Sequence, residues 1–151
     1  MGETRVVEEV RTSAGLDEAF AYVADFDHQA EWDPNTVTSR RLTEPPLAVG
    51  SRFALVVRMG RGAVPMEYRI TALEPPDRVV LVGEGKGIWT EDTIELRAED
   101  SATMVTYEAR IRLSGPLGWI QPLLGRVFRG VGRGAAAGLQ RELDRIAAQR
   151  T

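Results

Sequence analysis

The segment Phe20–Pro34 is the feature that most restricts what this chain can fold into. Its first part lies in a predicted helix over Leu16–Asp25, where apolar residues recur at helical spacing. Asp17 and Glu18 fall in the first turn, where carboxylates interact favourably with the helix dipole. A second helical turn is predicted over Asp27–Glu31. It should end before Asp33, because the residue before a proline is pushed out of the helical region. Two helices at this point must cover one end of a curved sheet.

The chain on both sides of this helix pair has the period of β-strands. Alternation is clearest in Thr103–Leu113, where apolar residues at every second position oppose threonine, glutamate and arginine. Such alternation is typical of an antiparallel sheet with one buried face and one solvated face. The predicted strands are Thr4–Thr12, Arg52–Met59, Met66–Leu73, Arg78–Glu84, Ile88–Arg97 and Thr103–Leu113.

A long helix is predicted to close the chain from Leu123 onward, after a segment opened by Gly115-Pro116. Its apolar stripe includes Val127, Val131 and Leu139. Several glycines interrupt this helix, although an interior glycine costs about 1 kcal/mol relative to alanine. We expect the glycines to allow a close approach to the sheet, to leave room for a ligand, or both.

Composition excludes several classes of function. The net charge of −3 and the pI near 5.3 provide no basic field, so we expect no nucleic-acid partner. With no cysteine and one histidine, we expect no metal, and no cofactor is indicated. No apolar run approaches membrane-spanning length, and no signal peptide is apparent. We therefore expect a single cytoplasmic domain over residues 1–151, either monomeric or homodimeric, without integral membrane contact.

The order of strand, two helices, further strands and a long helix resembles the START-like helix-grip proteins. The resemblance is to the SRPBCC group of polyketide cyclase/dehydrase and lipid-transport proteins. It implies an α+β fold, the helix-grip (START/Bet v 1-like) fold. In this fold a curved antiparallel sheet of about seven strands surrounds the long C-terminal helix, and two short helices follow the first strand. The residues that carry the resemblance are Phe20–Asp25, Glu31–Pro34, Gly50 before Arg52-Phe53, Ile70–Arg78 and Thr103–Tyr107.

The resemblance implies an internal cavity but no shared catalytic motif. The group includes lipid and hormone carriers as well as cyclases of aromatic polyketides. If the apolar face of each strand is concave, it lines such a cavity together with the final helix, although most of these side chains also suit an ordinary core. The candidate ligand-binding residues are Phe53, Leu55, Val57, Met66, Tyr68, Ile70, Tyr107, Ala109, Ile111, Val127 and Val131.

The polar candidates for chemistry are Asp92, Tyr68 and Tyr107. Asp92 shares its phase with Ile94, so it points inward unless a bulge after the preceding glycine-rich turn reverses the strand. A buried carboxyl has a raised pKa suited to acid–base work, and a tyrosine hydroxyl can stabilise an enolate. The alternatives remain open: Asp92 facing water, and tyrosines that reach only solvent or a backbone carbonyl.

Two other conspicuous side chains suit structural roles better. His28 lies in the polar turn between the helices, and Trp32 is expected to anchor the second helical turn. The sequence thus favours binding of a hydrophobic small molecule, lipid-like or polyketide-like, in an internal cavity. The alternative is a polyketide cyclase/dehydratase that uses the pocket tyrosine and aspartate groups for proton transfer.

Overall fold

The fold is an antiparallel sheet curved around a long C-terminal helix, in a computed structural model that describes residues 2–149. The predicted helix-grip architecture is confirmed. Short 3-10 helices lie at Phe26–His28 and Gly115–Leu123. The α-helices are α1 (Leu16–Ala24), α2 (Gln29–Trp32) and α3 (Leu124–Ala148). The strands are β1 (Thr4–Thr12), β2 (Thr36–Arg41), β3 (Arg52–Met59), β4 (Gly62–Glu74), β5 (Arg78–Gly85), β6 (Ile88–Glu99) and β7 (Ala102–Leu113).

The sheet has seven strands in the order β1-β7-β6-β5-β4-β3-β2, and every described pair is antiparallel. From β2 to β7 each strand pairs with the next one in sequence, and β1 closes the other edge against β7. The apolar residues of every strand except β2 join those of α1, α2 and α3 in one hydrophobic core, as the alternation predicted. No helix in the described part of the chain is long and apolar enough to cross a membrane.

Strand β2 is the element that the sequence pattern did not reveal. Its residues Thr36–Arg41 are mostly polar, and the apolar Val37 is exposed, so the strand shows no buried period. It is held by backbone pairing with β3 and by bonds to the turn before it. Ser39 Oγ donates to the Asp27 carbonyl at 2.8 Å, and the Arg41 amide donates to the Asp27 carboxylate at 2.8 Å. The strand forms because its partners satisfy its backbone, which sequence periodicity does not report.

Helices α1 and α2 cover one end of the sheet, as the opening segment predicted. Helix α2 ends at Trp32, and Asp33 takes an extended backbone before Pro34. The indole of Trp32 is 3% exposed, so it anchors this turn in the core. His28 stacks on Tyr22 with ring centroids 4.7 Å apart and lies 3.2 Å from the Glu31 carboxylate.

Helix α3 is fixed mainly through its C-terminal half. Leu139 and Leu143 are almost fully buried in the core. Gln140 Nε2 donates to the Arg11 carbonyl at 3.0 Å, and the Thr12 hydroxyl donates to Asp144 at 2.6 Å, so polar bonds join α3 to β1. The helix approaches closely at Gly138, where an added Cβ would lie 1.9 Å from the Trp32 carbonyl oxygen. At least this glycine is therefore required by packing.

Candidate ligand cavity

A cavity of about 140 Å³ lies between the concave face of the sheet, α2 and the middle of α3. Strand β5 contributes no side chain to its wall, whereas β1, β3, β4, β6 and β7 all do. Most of the wall is hydrocarbon, with a few polar groups among it. The apolar lining residues are Val6, Val10, Trp32, Leu55, Val57, Met59, Met66, Ile88, Ala109, Ile111, Phe128, Val131, Ala135, Ala136 and Leu139.

The structure separates the predicted ligand-binding residues into two groups. Phe53 and Ile70 do not line the cavity, because both are 0% exposed and are packed into the core beside it. Val127 does not line it either, because this turn of α3 directs the side chain outward and leaves it 56% exposed. The residues that do line the cavity are Leu55, Val57, Met66, Tyr68, Tyr107, Ala109, Ile111 and Val131.

Tyr68 reaches across the sheet because its neighbour is a glycine. Tyr68 pairs with Gly83, and Gly83 pairs with Thr90, so the three residues form one row across β4, β5 and β6. A Cβ on Gly83 would lie 2.5 Å from the Tyr68 ring, so only glycine lets the ring lie over β5. The Tyr68 hydroxyl then lies 3.4 Å from Thr90 Oγ1, which donates to it inside the buried wall.

Asp92 and Tyr107 form a hydrogen-bonded pair in the same wall. The turn between β5 and β6 contains only Lys86 and Gly87, and no bulge follows it, so Asp92 keeps the inward phase. Asp92 lies opposite Ala109, which makes Tyr107 its diagonal neighbour on β7, within reach of a long side chain. The Tyr107 hydroxyl donates to Asp92 Oδ2 at 2.6 Å. Asp92 is 6% exposed, so this bond lies in a poorly solvated site.

Burial dominates the acid–base properties of this pair. Loss of water raises the pKa of Asp92 to about 7, although the hydrogen bond from Tyr107 opposes the shift. Burial also raises the pKa of Tyr107 well above its ordinary value, and the neighbouring Asp92 carboxylate adds to that increase. Near neutral pH the carboxyl therefore exchanges a proton readily, while the phenol keeps its own and donates.

A second polar group in the wall was not found by sequence reasoning. Gln29, Asp33 and Thr36 line the cavity where α2 leads into β2. Asp33 accepts bonds from the Thr36 hydroxyl and the Asn35 amide, both at 2.9 Å. Burial raises the pKa of Asp33 despite these bonds. Gln29 begins α2, Asp33 lies in the turn after it and Thr36 begins β2, so no strand period marks them. Their only signal in the sequence is the Trp-Asp-Pro helix stop, which has a structural explanation of its own.

Other polar side chains lie at the edge of the site or away from it. Glu8 and Arg58 also line the cavity, and the Arg58 guanidinium donates to the Pro34 carbonyl at 3.2 Å. His28 lies outside the lining, bonded to Glu31. Trp32 combines its anchoring role with a place in the wall, where its ring meets the edge of Tyr107 at a centroid distance of 5.9 Å.

Comparison with known protein families identifies the group to which this architecture belongs. A family model described as polyketide cyclase / dehydrase and lipid transport matches residues 3–148. The chain belongs to this family. A search of curated proteins found no match. The family assignment agrees with the resemblance inferred from the sequence, and it is consistent with a fold that encloses a cavity for hydrophobic ligands.

Solved structures of similar fold include enzymes and proteins described only by superfamily. An aromatase/cyclase from a Streptomyces species superposes with a TM-score of 0.77 at 16% identity, with 95% of each chain covered. A START superfamily protein from Mycobacterium smegmatis gives 0.75 at 14% identity, covering 96% of this chain and 99% of that one. A di-domain aromatase/cyclase of steffimycin biosynthesis gives 0.72 at 14%, covering 97% of this chain and 52% of that one. At these identities the likeness shows the fold alone.

Proposed function

We propose that this protein binds a hydrophobic small molecule, of lipid or polyketide type, in the cavity between the sheet and α3. The main support for this proposal is the cavity itself. Its wall is mostly hydrocarbon and includes a few polar side chains, as in known small-molecule sites. Its volume of about 140 Å³ is close to that of an engineered cavity of about 150 Å³ that binds benzene. The described cavity thus suits a ring-sized apolar portion of a ligand.

Native mass spectrometry of the purified protein tests this proposal. We expect an apolar molecule, either retained from the cell or added as naphthalene, at one per chain. Ala135 lines the cavity, so Ala135→Phe should fill it and reduce occupancy at least tenfold. Ala137 is exposed on the same helix, and Ala137→Phe is the matched control that should leave occupancy unchanged. Equal occupancy in both variants would contradict binding at this site.

A second candidate function, that of a polyketide cyclase/dehydratase, is favoured by the buried Asp92–Tyr107 pair. In a cyclisation, Asp92 would take a proton from the carbon between two carbonyl groups of a poly-β-keto chain. The resulting enolate carbon would attack another carbonyl of the same chain, and the new alkoxide would receive the proton from the Asp92 carboxylic acid. The Tyr107 hydroxyl donates to Asp92, the Tyr68 hydroxyl supplies a donor to the developing oxyanions, and the cavity holds the reacting atoms together.

Turnover of a short poly-β-keto thioester by variants tests the second candidate. Asp92→Asn and Tyr107→Phe should each slow cyclisation by at least about a hundredfold, in the usual range for a general acid–base group. Tyr22→Phe is a suitable control, because Tyr22 donates to Glu31 and does not line the cavity. Cyclisation at the wild-type rate in both pocket variants would remove these roles and leave the binding function.

A further inference from the structure

The cavity contains an acceptor without a donor. Among buried side-chain oxygen and nitrogen atoms of residues 2–149, Gln29 Oε1 is the one that has no hydrogen-bond partner. Gln29 is 5% exposed and lines the cavity. A buried acceptor without a partner costs about 1 to 3 kcal/mol, so such an atom in a native protein calls for an explanation.

The orientation of the Gln29 amide is fixed by its neighbour. Gln29 Nε2 lies 3.4 Å from Asp33 Oδ2, and an ionised carboxylate only accepts hydrogen bonds. The amide NH₂ therefore faces Asp33, and the carbonyl oxygen is directed away from it. Asp33 is itself held by hydrogen bonds from Thr36 and Asn35, so Gln29 and Asp33 together form a polar corner of the wall.

This corner shares one cavity with the Asp92–Tyr107 pair. Trp32 lies between them along the wall, three residues after Gln29 and with its ring against the edge of Tyr107. The Asp33 charge is close enough to raise the pKa of Asp92, Tyr68 and Tyr107. The charged groups that line the cavity are Glu8, Asp33, Arg58 and Asp92, of which three are acids. The wall is therefore rich in acceptors and favours a ligand that brings a donor.

We propose that Gln29 and Asp33 form a polar subsite that binds a hydroxyl or N–H donor of an uncharged apolar ligand, through Gln29 Oε1. This inference rests on the proposed binding function and makes its ligand class specific. In the ligand-free protein Oε1 has no partner, and the ligand donor satisfies it. A ligand of the same shape without the donor leaves Oε1 unpaired, and so binds more weakly.

Calorimetric titration with three matched naphthalene derivatives tests the subsite. The probes are 2-naphthol, which has the donor, 2-methoxynaphthalene, which lacks it, and 2-naphthoate, which is anionic at neutral pH. We expect wild-type protein to bind 2-naphthol about tenfold tighter than the ether, as one net hydrogen bond predicts. In Gln29→Met the tighter binding of 2-naphthol relative to the ether should disappear. The wild-type ratio tests the subsite even if the variant fails to fold.

The outcomes separate this inference from the proposed function. Equal binding of 2-naphthol and the ether by wild-type protein, or a preference that survives in Gln29→Met, would overturn the subsite while leaving cavity binding intact. Tighter binding of 2-naphthoate would also overturn it and assign recognition to the Arg58 guanidinium. Failure of all three probes to bind wild-type protein would contradict the proposed binding function, and the subsite with it.

Discussion

The buried carboxyl of Asp92 makes the stability of this protein depend on pH in a defined direction. Its pKa rises from 3.8 to about 7 on folding, so between these values the folded chain holds a proton that the unfolded chain has lost. The contribution of Asp92 is therefore most favourable below about pH 4 and is lost as pH rises through 7.

We expect Asp92→Asn to remove this component, since asparagine is uncharged and still accepts from Tyr107. At pH 8 the free energy of unfolding of Asp92→Asn should exceed that of wild type by about 2 kcal/mol or more, and the difference should shrink toward pH 4. Urea unfolding at both pH values measures it. Ala98→Ser, at an exposed and uncharged position on the same strand, should show no such trend. A difference that is independent of pH would contradict a raised pKa at Asp92.

The hydrogen bond from Tyr107 stabilises the ionised form of Asp92 and lowers its pKa within the buried site. Tyr107→Phe should therefore raise the pKa of Asp92 further. The carboxyl ¹³C shift of Asp92, followed against pH by NMR, measures the change. Tyr22→Phe serves as the control and should leave the titration of Asp92 unaltered. A lowered or unchanged pKa in Tyr107→Phe would mean that this phenol does not donate to Asp92.

Gln29 allows a third prediction at this scale. Methionine has a similar shape and no acceptor, so Gln29→Met removes an unpaired buried oxygen but also the long bond to Asp33. The first effect should dominate, and the free energy of unfolding of the ligand-free protein should rise by about 1 kcal/mol. Thermal or urea unfolding measures it. A clear loss of stability would indicate that the Asp33 contact outweighs the orphan oxygen.

At the scale of elements, the glycines of α3 have different roles, and a matched pair separates them. A Cβ at Gly138 would lie 1.9 Å from the Trp32 carbonyl, whereas one at Gly130 would meet only an arginine side-chain nitrogen at 3.8 Å. Gly138→Ala should therefore destabilise the protein by about 2 kcal/mol through overpacking. Gly130→Ala should stabilise it by up to about 1 kcal/mol through helix propensity. If urea unfolding gives Gly138→Ala and Gly130→Ala the same free energy of unfolding, the close approach of α3 to Trp32 is incorrect.

The sequence predicted the elements well where burial is periodic. Alternation located six strands, and the glycine-rich turn before Ile88 proved too short to contain a bulge, which fixed the phase of Asp92. Strand β2 was not predicted, because its apolar residue Val37 is exposed and the strand shows no alternation of buried and exposed residues. Val127 was assigned to the inward stripe, but α3 is fixed through its C-terminal half, and this first turn leaves the side chain outside. A stripe indicates a helix, whereas the tertiary anchors decide which part of it is covered.

Sequence periodicity predicted only part of the candidate site. Tyr68 and Tyr107 lie on strands whose apolar and polar residues alternate regularly, so their inward phase could be inferred. The phase of Asp92 stayed open in the sequence, because it depends on whether a bulge follows the turn before Ile88. Gln29 begins the short helix α2 and Asp33 follows it, so neither lies on an alternating strand, and their place in the wall depends on how α2 packs against the sheet. Residues with a structural explanation can thus also line the cavity, and only the assembled fold shows it.

At the scale of the whole molecule, ligand binding should stabilise the fold. A ligand that binds only the folded state adds about 2.7 kcal/mol at a free concentration a hundredfold above its Kd. We therefore expect naphthalene, at a saturating level, to raise the midpoint of urea unfolding of wild type and of Ala137→Phe. Ala135→Phe should gain much less, because its cavity is filled. The same gain in Ala135→Phe would indicate binding elsewhere.

The position of a bound apolar molecule distinguishes the cavity from the outer surface of the protein. Intermolecular NOEs between naphthalene and ¹³C-labelled methyl groups report this position in solution. A ligand in the cavity should give NOEs to Leu55, Ile111 and Val131, which line it, and none to the exposed Leu123 and Val127. NOEs confined to Leu123 and Val127 would show that the molecule sits on the outer surface where the second 3-10 helix leads into α3, and would contradict a ligand-binding cavity.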